Sequence, residues 1–81
     1  MYGLLPKGAI VAEEIRAEMV ANVITVLVGK GDKVEPAQAV VILESMKMEI
    51  PVLAEFGGQV QEVFVDEGDV VQEGDVMVEL H

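Results

Sequence analysis

The sequence predicts an all-β fold in which two copies of one four-strand unit face each other across a pseudo-two-fold axis. Three observations carry this. Short β-branched runs recur along the chain, Gly-Asp or Gly-Gly pairs punctuate them, and a shift of 37 positions superposes one half on the other without a gap. The shift aligns Gly31-Asp32 with Gly68-Asp69, Ala17 with Ala54, Glu18 with Glu55, Val23 with Val60, Val26 with Val63, Val28 with Val65, Val34 with Val71, Val41 with Val78 and Leu43 with Leu80. These identities fall on core-type and turn-type positions, which points to duplication rather than composition. Two repeats are too few for a solenoid, so the compact arrangement exchanges strands between two facing sheets.

At 81 residues the chain bounds one small domain, of a size that buries about 60% of the surface its unfolded form exposes. Hydrophobic residues make up 52% and aromatic ones 4%, with no Trp, so the core has to be built from Val, Ile, Leu and Met.

Residues 1–14 show neither a strand nor a helix period, and Gly3, Pro6 and Gly8 interrupt their apolar residues. They are expected to form a poorly ordered arm, either a native extension or an expression remnant, ahead of a folded domain over residues 15–81. Periodicity alone allows one helical turn over Ala12–Arg16, but the runs that follow favour an extended start near Ile15. Val23–Val28 and Val40–Leu43 are nearly continuous apolar runs, and Val60–Val65 alternates imperfectly. Such runs suit strands buried on one or both faces of a sandwich. Gly29–Asp32, Gly57-Gly58, Glu67–Asp69 and Gly74-Asp75 are the expected turns, with Gly supplying positive φ and Asp bonding nearby amides. The first repeat ends near Glu44 and the second begins near Ile50–Val52. Glu44-Ser45-Met46-Lys47-Met48-Glu49 therefore connects the halves, and its symmetry counterpart is the gap between the last strand and the first. The chain ends are expected together at the pole opposite Lys47.

Several function classes are disfavoured by composition. A formal net charge of -10 repels a phosphate backbone and favours a basic protein partner over nucleic acid. No apolar run approaches the roughly 18 residues of a membrane span, and residues 1–12 lack the basic leader and apolar stretch of a signal peptide. There is no Cys, which is compatible with a reducing cytoplasm, the expected location. The lone His81 gives no metal set and no Ser-His or Cys-His pair. Carboxylate pairs such as Glu13-Glu14, or Glu62 with Asp66, have no cleft around them. Gly29-x-Gly31 and Gly57-Gly58 open no helix, so they are turns and not phosphate loops. The chain is not expected to be an enzyme.

What remains is a lysine displayed between two methionines on a hairpin that two core strands hold in place. Read with the repeat around it, the segment Glu44-Ser45-Met46-Lys47-Met48 resembles the pattern at the modified lysine of the biotinyl/lipoyl attachment domain family, biotinyl branch. The resemblance covers residues 15–80, and the chain looks like a biotin carboxyl carrier protein, most like the small free-standing biotinylated proteins of actinobacteria. The resemblance implies a flattened eight-strand barrel-sandwich hybrid with the modified lysine on a β-hairpin tip. Lipoyl domains share that fold but typically carry Asp-Lys-Ala there, so Met46 and Met48 point to biotin. Ala17-Glu18-Met19-Val20-Ala21 and Ala37-Gln38 depart from the Ala-Pro-Met-Pro-Gly and Gly-Asp patterns of such domains, and the ungapped repeat leaves no room for the "thumb" insertion of some bacterial carriers.

The resemblance further implies that a biotin-protein ligase makes biotinyl-adenylate and that the Lys47 ε-amine attacks its acyl carbon to form an amide. The ligase is expected to supply deprotonation and orientation, and the domain reach. The biotin ureido ring is then carboxylated by a biotin carboxylase and carries the carboxyl group to a carboxyltransferase, tethering raising its effective concentration at each site. In this scheme Met46 and Met48 are the recognition motif, and Glu44, Ser45 and Glu49 flank it. The isolated domain is expected to be a monomer. Plainer readings stand beside these: methionines filling core gaps, and glutamates that are simply solvated. Alternatives for the whole chain are a lipoyl carrier domain of a 2-oxo acid dehydrogenase-type complex and an unmodified β interaction module.

Overall fold

The computed structural model describes residues 13–81. Among them are eight strands and no helix: β1 (Glu13–Arg16), β2 (Ala21–Val26), β3 (Lys33–Val34), β4 (Ala39–Ser45), β5 (Met48–Leu53), β6 (Gly58–Val63), β7 (Val70–Val71) and β8 (Val76–Leu80). They form two antiparallel four-stranded sheets, ordered β1-β8-β6-β3 and β5-β4-β2-β7. Each sheet draws strands from both halves of the chain, the exchange that the repeat requires.

The repeat extends to the backbone. A shift of 37 carries β2 onto β6 and β3 onto β7 residue for residue. The Val23 N–H donates to Asp69 O at 2.8 Å, and the Val60 N–H to Asp32 O at 2.8 Å. Likewise Ala17 N–H donates to Asp75 O and Ala54 N–H to Gln38 O. Even the ladder irregularities coincide, between Val23 and Thr25 in one half and Val60 and Glu62 in the other. The inner faces meet in a core where Val23 and Val60, Val34 and Val71, Val41 and Val78, and Leu43 and Leu80 are all buried. Burial of each such side chain is worth about 1.5–3 kcal/mol, so both copies of the unit are needed to close one core.

β2 and β6 each end two residues before the expected Val28 and Val65. At Leu27 and Phe64 the chain leaves the strand pairing while still donating to Val40 O and Met77 O, both at 2.9 Å; Val28 and Val65 remain buried. Gly58, expected in a turn, instead opens β6. A Cβ there would lie 2.7 Å from His81 O, so only glycine lets the last residue lie against this strand.

The first strand starts at Glu13, so Glu13 and Glu14 belong to the sheet and not to the expected arm; residues 1–12 lie outside the described residues. The local sequence hides this because the stabilising partner is distant. Glu13 pairs with Leu80, and its carboxylate accepts the N–H groups of Glu55 (2.7 Å), Phe56 (3.0 Å) and Gly57 (3.2 Å). This pairing also brings the first described strand beside the last, the repeat counterpart of Leu43 with Ile50. Hydrogen bonds to a charged group contribute about 1.5–3 kcal/mol when well sheltered. For the half-buried Glu13, the Glu13→Ala variant is expected to lose about 1–2 kcal/mol, read as a lowered urea midpoint.

Ala37-Gln38 keeps the turn of its counterpart Gly74-Asp75 despite the changed residues. Ala37 sits at φ 68° and Gly74 at 94°; their N–H groups donate to Ala54 O and Ala17 O, both at 2.8 Å. Gln38 Oε1 accepts the Glu35 N–H at 2.9 Å as Asp75 Oδ2 accepts that of Gln72 at 2.9 Å. A left-handed conformation costs a non-glycine residue about 1–2 kcal/mol, partly offset by the lower entropy of its unfolded chain. Ala37→Gly is therefore expected to stabilise the domain by about 0.5–1 kcal/mol, seen as a higher melting temperature.

Candidate functional site

The site is the hairpin that joins the two halves. β4 and β5 pair from Ala39 with Leu53 onward, the register shifts once between Ala39 and Val41, and it then runs unbroken from Val41 with Val52 to Glu44 with Glu49, with Ser45 and Met48 closing the ladder. The turn is thus only Met46 and Lys47, shorter than the connection expected from the apolar runs. Both residues have positive φ, 54° and 65°, as in a type I′ turn, whose twist matches that of the flanking strands. Asn-Gly is the usual occupant of such a turn, and Met-Lys costs about 1–2 kcal/mol per residue by comparison. The long ladder enforces the turn, so local sequence preference gives way to what these two side chains do.

Lys47 is exposed. Arg16 bonds Glu14 and Gly74 O, Lys30 pairs with Glu62 at 3.6 Å, and Lys33 pairs with Glu35 at 3.5 Å. Among the described residues Lys47 is the one Lys or Arg side chain with no carboxylate in ion-pair range. Glu44 and Glu49 do not quench it, although they flank it. They face each other across the ladder and both are exposed. Like charges directly opposite destabilise a sheet by about 0.2–1 kcal/mol, a cost borne next to the tip.

Ser45 is half-buried, whereas Met46 and Met48 are 88% and 59% exposed. Of the two readings open for these methionines, core filling does not hold. A shallow groove beside the tip is lined by Val20, Asn22, Ser45, Met46, Lys47 and Val70. Val20 and Val70, both largely exposed, are site neighbours that no local signal reveals. They arrive through the pairing of β2 with β4 and β7, in which Asn22 faces both Glu44 and Val70. No group of three or more His, Asp or Glu able to hold a metal occurs among the described residues. What the arrangement offers chemically is one free primary amine, fixed at a tip and open to an acyl donor.

Residues 13–80 match the model of a family described as biotin-requiring enzyme. The chain is 53% identical over 66 residues to the biotinylated protein TB7.3 homolog of Mycobacterium leprae, an alignment that spans 82% of this chain and 93% of that one. Among solved structures, the urea carboxylase of Kluyveromyces lactis superposes with a TM-score of 0.79 and 30% identity, over 85% of this chain and 6% of the carboxylase. The lipoyl domain of the 2-oxoglutarate dehydrogenase complex from Azotobacter vinelandii superposes with a TM-score of 0.68 and 27% identity, over 83% and 95%.

Proposed function

This chain belongs to the biotin-requiring enzyme family, and from that membership we propose that it is a biotin carboxyl carrier, biotinylated through an amide on Lys47. The observation that carries the assignment is the unpaired amine at a tip whose backbone the ladder enforces. An amide-linked group needs a primary amine that is reachable, held away from the domain body and not competed for by a carboxylate. Lys47 meets these conditions on a paired hairpin tip, whereas Lys30 and Lys33 stand 3.6 and 3.5 Å from Glu62 and Glu35 in exposed, weak ion pairs.

Biotin, once bound, supplies a ureido nitrogen that carries a carboxyl group. The chain's own residues supply the rest. The Lys47 Nζ is the nucleophile toward an activated acyl group delivered by a biotin-protein ligase. Met46 and Met48 present apolar surface on either side of it for that ligase to read, and Glu44, Ser45 and Glu49 complete the flanks. The β4–β5 ladder limits the motion of the attached arm to its own rotatable bonds. Tethering then raises the local concentration of the group at a biotin carboxylase and at a carboxyltransferase without tight docking. The negative surface fits weak, reversible encounter with basic partner surfaces. The domain works as a monomer in the cytoplasm.

The lipoyl reading is not favoured. Fold alone does not separate the two cofactors, since a lipoyl domain superposes well, but identity to the mycobacterial biotinylated relative is about twice as high, and Met46 and Met48 stand where lipoyl tips typically carry Asp and Ala. Co-expression with a biotin-protein ligase or with a lipoate ligase, followed by intact mass measurement, separates the readings. One biotinyl group and no lipoyl group is expected; lipoylation without biotinylation would overturn the assignment.

A further inference from the structure

The repeat offers an internal comparison between the two poles of the domain. At the Lys47 pole Val20 and Val70 are each 61% exposed and Phe64 is 54% exposed. Val20 and Val70 line the groove beside Lys47, and Val70 with Phe64 lines a second hollow next to it. The three form one apolar strip leading away from the tip. A shift of 37 makes Gly57 the counterpart of Val20, Lys33 that of Val70 and Leu27 that of Phe64, so the two valines are what distinguishes this pole. The backbone surroundings of Val70 and Lys33 match. Val70 pairs with Asn22, which faces Glu44, and Lys33 pairs with Gln59, which exchanges hydrogen bonds with His81 at 2.9 and 3.0 Å. The fold therefore accepts lysine and glycine in these places, and two valines left largely in water add little to the core. Their presence at one pole alone calls for a partner rather than a packing reason.

We infer that this strip is the docking surface for the biotin carboxylase, an inference that rests on Lys47 being the biotin attachment site. Charge selects that partner. Glu44, Asp69 and Asp75 stand in the linings of the two hollows, and Lys47 is the one cation there. Acylation turns the Lys47 amine into a neutral amide, so the surface is most acidic after the cofactor is attached, when the ligase has finished and the carboxylase begins. A carboxylase that uses ATP and bicarbonate, both anions, gathers basic side chains around its active-site mouth. The complementary partner surface is an apolar side chain bordered by Lys or Arg. The matched domain makes up nearly all of the mycobacterial relative but a small part of the Kluyveromyces carboxylase. Covalent connection within one long chain raises a carrier's concentration at its enzyme; a carrier that stands alone has only surface contact for that purpose. Two valines and a phenylalanine give a small contact, released each time the arm moves on to the carboxyltransferase.

The test uses the biotinylated full chain. Each biotin carboxylase of the source organism is purified and supplied with ATP, bicarbonate and the carrier, and ADP release is followed as the carrier concentration is varied. Three variants are compared with wild type. Val20→Thr/Val70→Thr keeps the side-chain shape and removes apolar surface, Val70→Lys installs the residue type of the counterpart position, and Lys33→Val moves a valine to the far pole. KM for the carrier is expected to rise about tenfold in the first two with kcat unchanged, the scale of two lost apolar contacts. Lys33→Val should leave both constants at the wild-type value, and all four proteins should take up biotin from the ligase at one rate. An unchanged KM in both valine variants would overturn the docking surface, as would an equal rise in Lys33→Val. Slower biotin uptake by the valine variants with normal carboxylation would assign the strip to the ligase, and a concentration-dependent dimer that they abolish would assign it to a second copy; either overturns the inference. The wild-type carrier is read separately. No biotin uptake, or attached biotin that no carboxylase accepts, removes the carrier assignment itself, whereas equal use of wild type and variants removes the docking surface alone.

Discussion

Lys47→Arg is expected to abolish biotin incorporation while leaving the fold intact. The guanidinium stays protonated and cannot act as the acyl acceptor, so loss should be complete in a streptavidin blot. The substituted side chain is exposed, forms no ion pair and keeps a β-unbranched stem at the same φ of 65°, so the melting temperature should move by no more than about 0.5 kcal/mol would cause. The combination is informative. A Lys47→Arg protein that still accepts biotin would place the attachment elsewhere, and one that unfolds would make the tip structural.

The largest stability loss is expected at Gly57, in the loop before β6. Its φ is 85°, and a Cβ there would lie 2.6 Å from Val34 O and 3.0 Å from Pro36 N. Both are backbone atoms, so the clash cannot be relieved by rotating a side chain. A left-handed penalty of about 1–2 kcal/mol and an overpacking cost of about 1–3 kcal/mol combine to about 3 kcal/mol for Gly57→Ala. Small domains sit near the bottom of the usual stability range of about 5–15 kcal/mol, so this one change removes much of the margin. Gly31→Ala is the control: φ is 93° there, but no atom lies within 4 Å of the added Cβ, so only the conformational cost of about 1–2 kcal/mol applies. Equal urea midpoints for the two variants would show that the approach of Val34 to the Gly57 loop is not a tight constraint.

The architecture was legible in the sequence because it is stated twice. Val23, Val34, Leu43 and their copies at Val60, Val71 and Leu80 mark the inner face in both halves, and Gly31 and Gly68 mark equivalent turns. Features that depend on distant partners were not legible. β3 and β7 are two residues each, too short to show a period, and they exist because β6 and β2 lie alongside. Glu13 looks like part of a polar arm until the Glu55–Gly57 amides surround its carboxylate. At the site, Lys47 and its methionines stood out in the motif, yet Met-Lys is a poor signal for the two-residue turn they form. Register, set over the length of β4 and β5, decides that geometry. Val20 and Val70 join the site only through sheet order, which periodicity does not encode.

The central claim is that one amine, set apart by a repeat junction and left unpaired, carries the cofactor. Tandem mass spectrometry of the protein co-expressed with a biotin-protein ligase tests it most directly, after cleavage at acidic residues to free the peptide around Lys47. A single biotinyl group on Lys47 is expected, with Lys30 and Lys33 unmodified. Biotin on either of those lysines with Lys47 free, or no biotin at all, would contradict the account.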